Sequence, residues 1–415
     1  MEKIALLFPG QGSQYPGMTQ WFYDQFPMAR RTMEEASDVL GLDLARICQH
    51  GSPEELSKPE TLQPAVLTAS VVAFRVFQQE IGVLPEFCAG HSLGEYAALT
   101  CSGAISFADA LRIVQRRGRL AAEVVEQGGT TMSILKKVSI PQVEAECRRL
   151  TQAGRMVGVS CYNADSQVAV SGQEAAVREL ERWVESNGGS VVRLPDSPPY
   201  HSPLMQEAAD RLREELSAHT YYPLRWPVIS NVTGAPYPGA ESIVDLLTAQ
   251  IAKPVQWQKT MHYLHRQGIT KAIEIGPKNV LTTLVSRNVE DMQAYCFDQR
   301  TDRQKLVEFF TGRIEQQHVP HFLGRCLTIA VSTPNLNPDA RDYERCVIAP
   351  YRRIEAIQHT IEQSDQPATL DQMKEALQLL QTIFTYKQTP LQEQKEWLHL
   401  LREETGTYYE FPELG

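Results

Sequence analysis

Along the first two hundred residues the spacing of apolar and polar positions changes period several times, and each change falls at Gly, Pro or a polar cluster. Ile4 to Phe8 is an unbroken apolar run closed by Pro9-Gly10-Gln11-Gly12, the pattern of a buried strand running into a glycine-dependent turn. From Pro64 to Glu80 the apolar residues Val66, Ala69, Val72, Ala73 and Val76 recur at helical spacing, and Phe87-Cys88-Ala89 makes a second short strand before Gly90. Tyr96 to Leu99 and Phe107 to Val125 continue as helices. A strand, a sharp turn and a helix around Ser92 predict one α/β domain built from residues 1–127 and again from 197 to about 320.

The stretch 128–196 reads differently. Thr131–Leu135, Val157–Tyr162, Gln167–Ser171 and Ser190–Leu194 have strand character, while Pro141–Gln152 and Glu174–Asn187 have helical period. That βαββαβ order predicts a ferredoxin-like subdomain inserted into the larger domain, where it would form one wall of a cleft. From 321 to 415 a third region follows, a mostly helical extension. Within it Cys326 to Val331 reads as a strand, Pro334 to Arg341 as turns, and Tyr351–Gln363 and Leu370–Tyr386 as amphipathic helices, two or three in all. The apolar stripes of these helices pack either on the same chain or on a partner.

Composition narrows the function classes. The 415 residues are 42% hydrophobic and 22% charged, which is ordinary for a globular protein with a large core. A net charge of -10 without a basic run interleaved with aromatics argues against nucleic-acid binding. The apolar run after Met1 is too short for a signal sequence or membrane span, which leaves the cytoplasm as the expected compartment. The eight cysteines (48, 88, 101, 147, 161, 296, 326 and 346) include no Cys-x-x-Cys pair, so neither a metal site nor a disulfide framework is expected.

Candidate chemistry centres on Gly90-His91-Ser92-Leu93-Gly94. In a Gly-x-Ser-x-Gly elbow the small flanking residues permit a sharp turn that exposes the serine oxygen, and the next backbone N–H is free to bind an oxyanion. Ser92 and the N–H of Leu93 fill these positions. The serine needs a base, and two of the ten histidines stand out. His91 adjoins Ser92 but would point away on a tight turn. His201, in the rigid loop Pro198-Pro199-Tyr200-His201-Ser202, is the better candidate.

Five motifs, Phe8-Pro9-Gly10-Gln11-Gly12-Ser13-Gln14, Gly90-His91-Ser92-Leu93-Gly94-Glu95, Gln115-Arg116-Arg117-Gly118, Tyr200-His201-Ser202 and Gln250 through Pro254-Val255-Gln256-Trp257, together resemble the malonyl-CoA:acyl carrier protein transacylase family. They follow that family's order over roughly residues 1–315. The resemblance implies that Ser92 is acylated, that His201 acts as general base and then acid, and that the N–H groups of Gln11 and Leu93 form the oxyanion hole. It also implies that the Gln250 backbone carbonyl orients His201 and that Arg117 binds the free carboxylate of malonyl. An imidazole needs only a fixed tautomer, which a carbonyl can impose in place of a carboxylate. The same resemblance implies malonyl-CoA as substrate with no permanently bound cofactor and no metal. Its partner is a phosphopantetheinylated acyl carrier protein, free or as a carrier domain of a modular synthase.

Two departures matter. Tyr200 stands where malonyl-specific members commonly have phenylalanine, so bulk is kept and a hydroxyl of unknown partner is added. The extension, with Cys326 to Asn335 and the end Glu403-Glu404-Thr405-Gly406-Thr407, resembles free-standing transacylases that serve polyketide or hybrid peptide synthases in trans. Three other readings stay open at this level: an acyl hydrolase, which needs no carboxylate clamp such as Arg117; a carrier-docking module without activity; and a generic esterase, which gives the Gly10 to Gln14 loop no role.

Overall fold

The computed structural model describes residues 3–194, 197–314, 322–339, 341–364, 368–405, 407 and 411. The subdomain junctions expected near 196 and 320, and Gly406 of the C-terminal motif, lie outside the described residues. The chain divides into two compact units, 1–77 with 84–306, and 78–83 with 307–415.

Among the described residues nine strands belong to the first unit: β1 (Ile4–Phe8), β2 (Phe87–Gly90), β3 (Thr130–Lys136), β4 (Val157–Ala164), β5 (Gln167–Gln173), β6 (Ser190–Leu194), β7 (Val228–Ile229), β8 (Lys271–Glu274) and β9 (Gln293–Cys296). Five make a parallel sheet in the order β7-β2-β1-β8-β9. β1 is its centre, and all five of its residues are buried because a parallel strand is covered on both faces. Phe8 pairs with Gly90, so the loops after β1 and β2 leave the sheet at one level, at its carboxyl edge. Ligands gather at that edge in open α/β sheets.

The remaining strands form an antiparallel sheet, β4-β5-β3-β6, backed by the helices Ile140–Gln152 and Glu174–Ser186. This is the ferredoxin-like arrangement, and its apolar layer includes Leu135, Val143, Leu150, Val168, Val170, Leu180 and Val184. β4 also reaches outward: the Tyr162 N–H donates to Val255 O (2.9 Å) and the Val255 N–H to Ser160 O (2.9 Å). These bonds tie the small sheet to the segment that follows Gln250.

The second unit corrects one expectation. Cys326 to Val331 is not a strand but part of the helix Phe322–Ser332. Its β-branched run suggested a strand, yet the buried residues Phe322, Leu323, Cys326, Ile329 and Ala330 fall on one helical face against a shared core. Among the described residues the unit has three further α-helices, Ala349–Ser364, Leu370–Lys387 and Leu391–Thr405. The last of these was not among the helices expected. All eight cysteines are free and seven are buried.

Candidate active site

Ser92 sits between β2 and the helix Gly94–Cys101 at φ +53°, a left-handed conformation that costs a non-glycine residue about 1–3 kcal/mol and persists only when its surroundings hold it. Those surroundings are specific. The Ser92 N–H donates to Asn231 Oδ1 (2.7 Å), and Asn231 Nδ2 donates to Gly90 O (2.6 Å). A Cβ at Gly94 would lie 1.9 Å from the Phe8 carbonyl oxygen, so only glycine lets the helix start against the end of β1. The Gln11 loop touches the elbow as closely: a Cβ at Gly10 would meet His91 O at 2.5 Å and Leu93 N at 3.6 Å. Lys278 Nζ donates to Gly12 O (3.0 Å) and the Ser13 hydroxyl to Gly10 O (2.7 Å), pinning that loop. The loop after β1 thus packs at Gly10 against the Leu93 end of the elbow, with Gln11 next in sequence.

His201 arrives from the other direction. It too has a left-handed backbone (φ +61°), held by its N–H donating to Ile251 O (2.8 Å) and by Ser202 Oγ donating to Pro199 O (2.7 Å). Ser171 on β5 donates to Tyr200 O (2.8 Å), so the small subdomain braces the loop. His201 Nδ1 lies 2.7 Å from the Gln250 carbonyl oxygen, which can only accept, so Nδ1 carries the proton. Nε2 is left to accept the Ser92 hydroxyl at 2.7 Å. Burial first, and the Arg117 guanidinium second, push the imidazole pKa down to about 3. The ring is therefore neutral, with Nε2 as its accepting nitrogen.

Arg117, on the helix Phe107–Glu126, is fully buried. Its neighbours Arg112 and Arg119 are exposed and Arg116 half-exposed, so the one buried member of the group faces Ser92. Nη1 donates to Gln63 Oε1 (3.0 Å), and Nη2 lies 3.3 Å from Ser92 Oγ and 3.4 Å from Gln250 Oε1. Its carbon stands 4.6 Å from the Tyr200 ring centre. All these partners are neutral, and Nε has no hydrogen-bond acceptor. The Tyr200 hydroxyl accepts from Gln63 Nε2 at 2.7 Å, which supplies the partner that the sequence left unknown. A cavity of about 260 Å³ opens beside this group and is lined by Gln11, Leu62, Gln63 and Tyr200 among others.

The structure thus gathers Gln11, Ser92, Leu93, Arg117, Tyr200, His201 and Gln250 around one point. His91 instead turns aside, its Nε2 2.8 Å from Asn163 Oδ1. Sequence reasoning missed Gln63, Asn231 and the buried contacts of Glu95. Glu95 closes the elbow motif, Gln63 is a polar position within the apolar helix Leu62–Glu80, and Asn231 lies in a Ser-Asn-Val-Thr-Gly turn, but nothing local tells what each will meet. Among the described residues, no cluster of three or more His, Cys, Asp or Glu could hold a metal, and no helix is long and apolar enough to cross a membrane.

Residues 5–322 match the family described as acyl transferase domain. A malonyl CoA-acyl carrier protein transacylase of Bacillus subtilis is 34% identical over 398 residues, covering 95% of this chain and 99% of that protein. The protein of the same description from Escherichia coli strain K12 is 38% identical over 309 residues, 74% of this chain and all of that one. Among solved structures, a malonyl-transacylase in complex with its type II PKS acyl-carrier protein superposes with a TM-score of 0.72 at 36% identity, covering 74% of this chain and 100% of that one. FabD from Acinetobacter baumannii gives 0.72 at 35%, covering 75% and 98%.

Proposed function

This chain belongs to the acyl transferase domain family, and from that premise we propose that Ser92 carries a malonyl group from malonyl-CoA to the phosphopantetheine thiol of an acyl carrier protein. One observation carries the reading: a guanidinium buried beside the nucleophile with only neutral partners. Such a group is costly unless an anion completes it, and a carboxylate on the acyl chain is the complement that acetyl and longer simple acyl groups lack.

The steps follow from the geometry. Ser92 Oγ attacks the thioester carbonyl as its proton passes to His201 Nε2; the N–H groups of Gln11 and Leu93 receive the oxyanion, and coenzyme A leaves as a thiol with that proton. The carrier thiol then gives its proton to His201 and attacks the malonyl ester, and Ser92 recovers the proton as it leaves. Arg117 is one cause of the weakness of the base. A malonyl carboxylate paired with Arg117 cancels that charge, so the correct substrate strengthens His201 as it binds. A hydrolase has no use for such a clamp, and Arg117 therefore favours transfer.

Residues 1–127 with 197–320 are the catalytic core in this reading, 128–196 the cleft wall and 321–415 an extension apart from the chemistry. The relative of 398 matched residues aligns through nearly the whole chain, whereas the Escherichia coli relative is exhausted after 309. That contrast shows an extension shared with the first relative, and in this reading the enzyme supplies malonyl units to carriers of polyketide or fatty acid synthesis. A polyketide biosynthesis protein of Burkholderia thailandensis shares 35% identity over 284 residues, 68% of this chain but 24% of that protein. The cytoplasm, with its reduced thiols, is the compartment proposed.

The test is intact mass after incubation with malonyl-, methylmalonyl- or acetyl-CoA, followed by addition of a carrier protein. A malonyl adduct that is lost in Ser92→Ala and moves to the carrier is the expected result. Labelling by acetyl-CoA alone, or release as free malonate in the presence of carrier, overturns the reading.

A further inference from the structure

Directly beneath the nucleophile lies a carboxylate that the mechanism above does not use. Glu95, three residues beyond Ser92 on the helix Gly94–Cys101, is completely buried. Among the described residues it has no cationic partner, and hydrogen bonds alone offset its burial. Oε1 accepts from the Tyr237 hydroxyl (2.6 Å) and the Asn231 N–H (3.1 Å), and Oε2 accepts from Gln250 Nε2 (2.9 Å).

Two of these donors are the residues that hold the reacting pair. Asn231 Oδ1 takes the Ser92 N–H, and Gln250 Nε2 also donates to Ser92 O (2.7 Å). The Gln250 backbone carbonyl meanwhile fixes the His201 tautomer. Both hydrogens of the Gln250 amide are thus spent, one on Ser92 and one on Glu95, and its Oε1 is left turned toward Arg117. An ionised carboxylate only accepts, so it dictates that every group facing it presents a hydrogen. A flipped amide would set Gln250 Oε1 against both the carboxylate and the Ser92 carbonyl and its Nε2 against Arg117, so Glu95 joins these two groups in fixing the amide.

We propose that Glu95 is a positioning residue for acyl transfer, acting through Gln250 and Asn231 to hold the strained Ser92 backbone and the His201 base in register. The inference rests on Ser92 and His201 as the reacting pair.

Burial pushes the Glu95 carboxyl up to about 7, against the opposing bonds from Tyr237, Gln250, Asn231 and Ser230. The ionisable groups around it are the Tyr237 and Tyr96 phenols, with Arg117 and His201 beyond Gln250. The working form is the carboxylate, so malonyl-enzyme formation falls as pH drops through about 7. His201, neutral down to about 3, contributes no such limb.

The experiment measures the rate and amplitude of malonyl-enzyme formation from malonyl-CoA between pH 5.5 and 9, by rapid quench and intact mass, roughly spanning the neutral range. In Glu95→Gln the amide must set a donor against Asn231 N–H or Gln250 Nε2. Its saturated rate is expected to fall about a hundredfold, with full labelling amplitude, half-saturation within about threefold, and no acid limb. In Tyr237→Phe the carboxylate loses its shortest bond, and the limb moves to higher pH with the alkaline rate retained. A wild-type rate and limb in Glu95→Gln overturn the proposal. So do a reduced amplitude at unchanged rate, the mark of a merely structural role, and an unmoved limb in Tyr237→Phe. Ser92→Ala, run in parallel, separates the two levels: an adduct that survives there sinks the assignment of the nucleophile, whereas its loss alongside a fully active Glu95→Gln sinks only the role of Glu95.

Discussion

In the helical unit the core contributed by Phe322, Leu323, Ile329, Ile354, Leu380, Ile383, Phe384 and Leu401 is apolar, and the buried Lys387 serves the backbone. Its Nζ donates to Ala330 O (2.7 Å) and Thr333 O (2.6 Å), satisfying carbonyls at the end of the helix Phe322–Ser332, where the helix dipole favours a cation. At the centre of the α/β unit a guanidinium, an imidazole and a carboxyl are buried on neutral partners, and Ser92 and His201 hold left-handed backbones. The first interior uses its one described buried lysine to close a helix end. The second gives up stability to hold charge and strain where a substrate can use them, and the cost is carried by the surrounding sheet and hydrogen bonds.

The largest blow to that contrast falls on Arg117. Arg117→Ala removes the group proposed to pair with the malonyl carboxylate, and malonyl kcat/KM should drop about a thousandfold, roughly 4 kcal/mol. With the positive charge gone, His201 loses the second cause of its low pKa, and loading from acetyl-CoA should rise relative to malonyl. Parallel progress curves for the two thioesters check this; equal losses for both would mean that Arg117 merely supports the fold.

Phe384→Ala tests the other interior. The ring is fully buried, and its truncation should cost about 3–5 kcal/mol, seen as an early unfolding transition by calorimetry. Malonyl-enzyme formation at 20 °C, roughly ten degrees or more below that transition, should stay within about twofold. A matching fall in rate would show that the helical unit takes part in the chemistry, contrary to the division drawn here.

How far each region could be read beforehand follows the same line. The small sheet and its helices, β1 and β2 were legible because their cores are periodic and local. Cys326 to Val331 misled, since a short run with three β-branched residues, Thr328, Ile329 and Val331, fits either period and only the partner helices decide. The motifs bring Ser92, His201 and Arg117 to attention, whereas Gln63, Asn231 and the contacts of Glu95 gain meaning from partners 54 to 155 residues away. Short strands such as Val228–Ile229 leave too little pattern to find.

The smallest expected effect concerns Tyr200, where the sequence left a hydroxyl unexplained. Its oxygen holds Gln63 Nε2, and this fixes Gln63 Oε1 toward Arg117 Nη1, so the hydroxyl sets the plane of the clamp at one remove. Tyr200→Phe keeps the ring over the guanidinium and frees a buried amide, a loss of about 1 kcal/mol. With Arg117 as the proposed carboxylate clamp, acting on malonyl before and during reaction alike, KM for malonyl-CoA should rise about fivefold while kcat holds. In Gln63→Ala the same hydroxyl has nothing to orient, and adding Tyr200→Phe should then change nothing further. The ring also lies 5.9 Å from the His201 ring, which gives the alternative a distinct signature. A fall in kcat at constant KM would put the hydroxyl on the side of the base, and would move Tyr200 from the set of residues that hold the substrate to the set that holds the histidine.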